Sequence, residues 1–320
     1  MNDFSLNTPV AFIIFNRPDT TQKVFGEISK ARPPKLLVIG DGARSNRPGE
    51  TERVAAARAI IQQVNWPCEV LCNFSDRNLG CKVRVSSGLD WVFEQVPEAI
   101  ILEDDCLPDP SFFRFCEELL EKYRENQRVG MISGDNFQFG RRYNEDSYYF
   151  SRYMHIWGWA TWRDRWSGTY DVNMSSWPHM RDSDGFAKLI GNAKEAAFWT
   201  RIFNDVYFGK VDTWDHQWAY ANWVNKRYGI LPTVNLISNI GFGADATHTV
   251  RASNLASLPT YSMGFPLLHP CEVRTNDEAD GFTRTSWLMR PLWLKIIVRI
   301  SGETSGLLAR LFSVFKRVMK

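Results

Sequence analysis

The first 135 residues alternate short apolar runs with helix-like segments, and this alternation restricts the possible folds more than any other feature. Val10–Phe15 (VAFIIF), Leu36–Ile39 (LLVI), Cys68–Phe74, Ala99–Leu102 (AIIL) and Val129–Ser133 are short and mostly apolar, as expected of strands buried on both faces. Helix signals lie between them. One opens at Arg17-Pro18-Asp19-Thr20, where proline suits a first turn and Asp19 or Thr20 can cap. Glu50–Val64 and Leu79–Gln95 follow, then Asp109–Glu125, whose Phe112, Phe113, Cys116, Leu119, Leu120 and Tyr123 share one face. The pattern predicts a doubly wound, mostly parallel α/β sheet flanked by helices. Such sheets bind ligands beyond the carboxyl ends of their strands. Chemistry is therefore expected in the residues that directly follow each apolar run.

After about residue 136 the pattern changes. Gln138–Ser151 is polar and aromatic, and Tyr153–Trp166 packs four tryptophans into a stretch that reads as helical. Asp184–Phe208 and Asp215–Arg227 read as further helices, Val234–Ser238 as a late strand, and Gly241–Arg251 as a loop of small residues. Three regions are expected: a ligand-binding α/β half (1–135), a largely helical half of the same domain (136–283), and a tail (284–320).

The chain is 44% hydrophobic, as a soluble globular protein is. Its net charge of +2 is unevenly spread: the tail holds eight Lys/Arg and one acid, a net of +7, which leaves −5 on the rest. A mildly acidic body argues against nucleic acid as a partner. The six cysteines form no C-x-x-C pair and no zinc spacing, and read as buried free thiols of a reducing compartment. The N-terminus, MNDFSLNTP, shows no secretory signal, and no apolar run nears the ~20 residues of a membrane span. A cytoplasmic location is expected.

Glu103-Asp104-Asp105 directly follows the AIIL strand. Adjacent like charges repel, and something must offset them. A divalent cation, Mn2+ or Mg2+, would do so by taking carboxylate and phosphate oxygens together; the plainer alternative is a solvated acidic turn. Asp41 falls at the same sheet edge, suited either to a ribose hydroxyl or base N–H or to a Gly-Asp-Gly turn. Arg17 suits a phosphate or nucleobase, or else is a surface cation. Asn78–Arg84 offers a helix start, with Lys82 and Arg84, where an anion is favoured. Asp212 and Asp215, in VDTWDHQW, are candidates for helix caps or for a general base. Among the thirteen tryptophans, Trp157, Trp159 and Trp162 could stack on sugar rings or fill a core; His155 beside them reads as a hydrogen-bonded structural group rather than a metal ligand.

The run KVRVSSGLDWVFEQVPEAIILEDDCLPDPSFF (82–113) resembles the inverting GT-A N-acetylglucosaminyltransferases that act on N-glycans. WDHQW resembles the catalytic-base segment Trp-Asp-Asp-Trp of that family, and IGFGADATH its late loop over the donor phosphates. The chain is also similar to bacterial glycosyltransferases of surface-polysaccharide clusters, the haemolysin-like ones included. The resemblance spans roughly residues 9–250. It implies a Rossmann-like GT-A fold and transfer of a sugar from a nucleotide-sugar donor, UDP-linked, to a glycan or lipid-linked acceptor. It further implies that Asp105 ligates the metal, Asp104 contacts the ribose or the metal's waters, Glu103 binds the sugar, and Asp41 and Arg17 hold the nucleobase. Lys82 stands where that family has a histidine near the nucleobase. His216 replaces the second acid of the base segment, so Asp212 and Asp215 both remain candidates.

In the late loop, Thr247, His248 and Arg251 supply donors for phosphate oxygens, and the loop is expected to close over the donor. In the tail, Leu307, Leu308, Leu311, Phe312, Phe315, Val318 and Met319 form an apolar stripe opposite Arg310, Lys316, Arg317 and Lys320. Amphipathic helices of this kind suit an anionic membrane surface, with 285–320 as the contact, or else pack on the domain. Two other classes compete with the transferase. A sugar-nucleotide nucleotidyltransferase would carry a Gly-rich loop after the first strand, where this chain has Asn16-Arg17-Pro18-Asp19. A non-catalytic carbohydrate-binding protein would not need the acidic triplet.

Overall fold

The computed structural model describes residues 4–242 and 255–288. Strands β1 (Val10–Ile14), β2 (Lys35–Gly40), β3 (Glu69–Phe74) and β4 (Glu98–Glu103) alternate with helices α1 (Pro18–Ala31), α2 (Glu50–Ala59) and α3 (Gly80–Gln95). A short strand β5 (Cys106–Pro108) leads into α4 (Ser111–Tyr123) and β6 (Val129–Ser133). The second half adds β7 (Tyr148–Ser151), β8 (Trp159–Trp162), α5 (Arg163–Trp166), α6 (Trp177–Asp182), α7 (Gly185–Ile190), α8 (Ala193–Tyr207), α9 (Asp215–Val224), β9 (Tyr228–Pro232), β10 (Ile237–Asn239) and α10 (Asp277–Thr283).

Eight strands form one sheet in the order β3-β2-β1-β4-β8-β6-β9-β7, and all but β8 and β7 run the same way. The result is the mostly parallel α/β class that the alternation predicts. Both faces of the sheet are covered. Phe12, Ile14, Val38, Ile100 and Leu102 pack under α1 and α4, whereas Ala11, Ile13, Ile39, Ala99 and Ile101 pack under α3 and a group of tryptophans. Burial on both faces is why these strands read as continuous apolar runs. Each fully buried Val, Leu, Ile or Phe among them contributes about 1.5–3 kcal/mol.

The four-tryptophan stretch is a correction: it is not one helix, since residues 153–158 are irregular, Trp159–Trp162 is a strand and only Arg163–Trp166 is helical. Gly158, at φ +61°, turns the chain into β8, which inserts antiparallel between β4 and β6. Trp159 then points to one layer and Trp162 to the other, so no polar alternation marks the strand. Strands β7 and β9 were not anticipated either. The helix expected over Asp184–Phe208 breaks at Gly191, whose φ of +71° ends α7, and Asn192 caps α8 by accepting from the Glu195 N–H at 3.0 Å. The late strand lies a little further on than expected, and β10 pairs antiparallel with β5 through Asn239 and Cys106. Asp19 and Thr20 sit inside α1 instead of capping it. The cysteines are free, although only Cys106 and Cys116 are buried.

The chain divides into a unit spanning Met1–Asp280 and a second spanning Gly281–Lys320. Among the described residues no helix is long and apolar enough to cross a membrane. The late loop beyond Phe242, with Thr247, His248 and Arg251, lies outside the described residues, as does the tail beyond Leu288.

Candidate functional site

The pairing register sets Ile14, Gly40 and Glu103 near one another at the carboxyl edge of the sheet. The residues that follow these strands therefore emerge side by side. They open into a cleft of about 540 Å³. Arg17, Asp41, Glu103, Asp104 and Asp105 line it from the strand ends, and Arg84 from α3. Asp212 and Asp215 line it from the start of α9, Trp157 from the approach to β8, Asn239 from the end of β10, and Gly241 and Phe242 from just beyond it.

The acids are tightly held. Arg17 bridges two of them, with Nη2 2.5 Å from Asp104 Oδ1 and Nη1 2.9 Å from Asp105 Oδ2. The other Asp104 oxygen accepts from the Phe15 N–H at 3.0 Å. Burial pushes Asp104 up to about 6, against the pull of Arg17. Burial, then the neighbouring Asp105 and Asp104 charges, push Glu103 up to about 8. Gly241 packs directly over this group. A Cβ there would collide with Asp105 Oδ2 and lie 2.5 Å from Arg17 Nη1, so only glycine fits.

Asp41 lines the cleft but is not free for a nucleobase. Its oxygens accept from the backbone N–H groups of Gly42 (2.9 Å), Leu79 (2.9 Å) and Gly80 (3.1 Å) and from Asn78 Nδ2 (2.9 Å). Four donors fill the four lone-pair sites of a carboxylate. Asp41 is itself the anion at the start of α3, so it does not face a nucleobase, and the anion favoured at that helix start is a carboxylate of the chain. Asp41→Ala is expected to cost about 1–3 kcal/mol, the penalty of stranding buried donors, read as a lower urea midpoint with nucleotide affinity little changed. An unchanged midpoint with lost nucleotide binding would return Asp41 to the ligand.

Other candidates divide. Arg17 is engaged with the acids and not with a base site. Arg84 is buried and donates to the Asn73 carbonyl at 2.9 Å and to its Oδ1 at 2.7 Å. Lys82 lies outside the cleft, near Asp171. Trp159 and Trp162 are corrections: both are buried in the core and cannot stack on an acceptor. Trp159 stacks on Trp214 at 5.6 Å and 20°, and Trp162 donates Nε1–H to the Leu120 carbonyl at 3.2 Å. Trp157 alone of the three lines the cleft, with its ring edge-on to Phe242 at 5.7 Å. His155 sits behind it, with Nδ1 2.6 Å from Asp135 Oδ1, while Asp135 Oδ2 accepts the Trp157 N–H at 3.2 Å.

Asp215 is the first residue of α9, after Trp214 at the N-cap. Thr213 donates its hydroxyl to Asp215 Oδ1, and His216 Nδ1 lies 3.8 Å from Oδ2. The Asp215 charge is felt at Glu103. Asp212 is more exposed and lies against Gly80. Sequence reasoning missed Arg44, which lines the cleft. Glu50, fully buried at the start of α2, fixes its guanidinium with contacts of 2.5–3.1 Å, and the group lies over the Phe15 ring at 5.5 Å. Its position three residues after Asp41, at the same sheet edge, was the available signal.

A divalent cation that arrives with a diphosphate needs only one or two protein carboxylates. Asp105 faces the cleft with Glu103 beside it, a hard-oxygen set that fits such an ion. Among the described residues no three His, Cys, Asp or Glu side chains form a ready metal cluster, so the fit is to a cation shared with phosphate oxygens and not to a preformed cage.

No family model matches the chain, and no curated protein matches it in sequence. Among solved structures it is similar to a UDP-glucose pyrophosphorylase complexed with UDP-glucose, at 11% identity, TM-score 0.26, over 45% of this chain and 67% of that one. It is also similar to mouse xyloside xylosyltransferase 1 in its apo form, at 11% identity, TM-score 0.31, over 67% of this chain and 81% of that one. At those scores neither likeness bears on the chemistry.

Proposed function

We propose that this chain is a cation-dependent glycosyltransferase of the GT-A type. It would move a sugar from a nucleoside diphosphate donor, a UDP-sugar first of all, to a hydroxyl of a glycan or lipid-linked acceptor, with inversion. One observation carries the reading: two separate sets of acids share one cleft, Glu103–Asp105 after β4 and Asp212 and Asp215 ahead of α9. The first set suits the diphosphate end of a donor and the second the attacking hydroxyl. Asp215 takes the proton of that hydroxyl as its oxygen bonds to the anomeric carbon. The bond from that carbon to the diphosphate oxygen breaks, and the diphosphate leaves with the electron pair. Asp215 is preferred to Asp212 as the base because it is the less exposed of the two and the Thr213 hydroxyl holds its Oδ1 in place. A divalent cation bound at Asp105, Mn2+ or Mg2+, would offset the charge of the leaving group. Trp157 offers the acceptor a ring face. On this reading the enzyme serves bacterial surface-polysaccharide synthesis in the cytoplasm, with 285–320 holding it to the inner face of the membrane.

UDP binding with and without Mn2+, together with donor hydrolysis by UDP-sugars, tests this. Wild type is expected to bind UDP in Mn2+ and to lose that affinity in EDTA, since a cation contributes several kcal/mol of charge stabilisation. Asp105→Ala should lose the metal-dependent part while circular dichroism stays native. Full activity in excess EDTA would overturn the reading.

A further inference from the structure

We infer that Arg17 is a built-in counter-ion that couples uptake of the divalent cation to uptake of the diphosphate, an inference that rests on the function proposed above. The guanidinium spends one arm on Asp104 and the other on Asp105, at 2.5 and 2.9 Å, with its side chain 22% exposed. It thus supplies the positive charge that three consecutive acids require, and it takes up Asp105 Oδ2, an oxygen a cation would use. A cation arriving alone has to displace Arg17 from Asp105. That leaves a guanidinium half-paired, with Asp104 as its remaining partner, beneath the Gly241 backbone. A diphosphate changes the balance. Its oxygens accept the planar fork of arginine as well as a carboxylate does. Arg17 then turns from Asp105 to the phosphate and frees Oδ2 for the cation, while Asp104 stays pinned by the Phe15 N–H. Each ligand makes room for the other, and by linkage the gain in affinity is the same in both directions.

The test is Mn2+ binding to the full chain, followed by the EPR signal of free Mn2+, first without nucleotide and then with UDP, after allowance for the Mn2+–UDP complex in solution. Arg17→Met keeps the stem and removes the charge. It is expected to bind Mn2+ alone about tenfold more tightly than wild type, within the usual range of coupling between two sites, and to lose most of the gain that UDP gives. Arg17→Lys keeps a charge beside Asp104 and so protects the fold, but an ammonium lacks the fork; it too should bind Mn2+ alone more tightly. If circular dichroism shows Arg17→Met unfolded, Arg17→Lys decides. Variants that bind Mn2+ alone no better than wild type overturn the inference. So does a wild type in which UDP and Mn2+ bind independently, although the proposed function then stands. A wild type that binds neither ligand under any condition overturns both.

Discussion

Asp215→Asn is expected to lower turnover by about 10²–10⁴-fold, the usual contribution of a positioned general base, with donor affinity nearly unchanged. The amide is the same shape as the carboxylate and can still receive the Thr213 hydroxyl. What it loses is the capacity to take a proton. Asp212→Asn, at the exposed rim against Gly80, should have a much smaller effect. Steady-state kinetics with a saturating UDP-sugar separates the two. A crippled Asp212→Asn beside an active Asp215→Asn would move the base by three residues. Two active variants would contradict a single displacement assisted by either acid.

Trp159→Ala is expected to destabilise the fold by about 3–5 kcal/mol, the cost of truncating a large buried aromatic. The ring is fully buried and packs against Trp166, Trp214 and Trp218, while its backbone pairs with Ile101 of β4. Removing it opens a void that joins the central strands to α9, the helix that carries Asp215. Urea denaturation reads the loss. The contrast with Trp157→Ala is the sharper result. That ring is partly exposed in the cleft, so its loss should cost less stability and act on acceptor use. Equal stability in the two variants would overturn the assignment of Trp159 to the core and Trp157 to the cleft.

The parallel half of the sheet was legible because burial on both faces writes an unambiguous signal: Val10–Ile14 and Lys35–Gly40 could be little else. The same physics hid β8. A strand covered on both sides by tryptophans has no alternation, and four residues are too few to set a period against the adjoining α5. Gly158, held at positive φ, was the one local mark of the turn into it. At the site, Glu103, Asp104, Asp105, Arg17 and Asp215 line one cleft. Their partners could not be read. Whether Asp41 faces a ligand or the amides of Leu79 and Gly80 depends on how closely α3 returns to β2, a tertiary distance that no local pattern records. Arg17 was read as a ligand group for the same reason, since its pairing with Asp104 and Asp105 depends on the register between β1 and β4.

The insertion of β8 also bears on how the chain is made. Strand β4 exists from Glu98 onward, yet its outer neighbour is not synthesised until Trp159–Trp162. At about 5–20 residues per second, the ribosome leaves that edge unpaired on the order of seconds. An open apolar edge is a template for strand pairing with other chains. The exposed core of β4 is Ala99-Ile100-Ile101-Leu102, flanked by Glu98 and Glu103. Charges at both ends of an unavoidable apolar strand act as gatekeepers against aggregation. Glu103 would then serve the nascent chain before it serves the cleft, repelling stray strands while β8 is still being made.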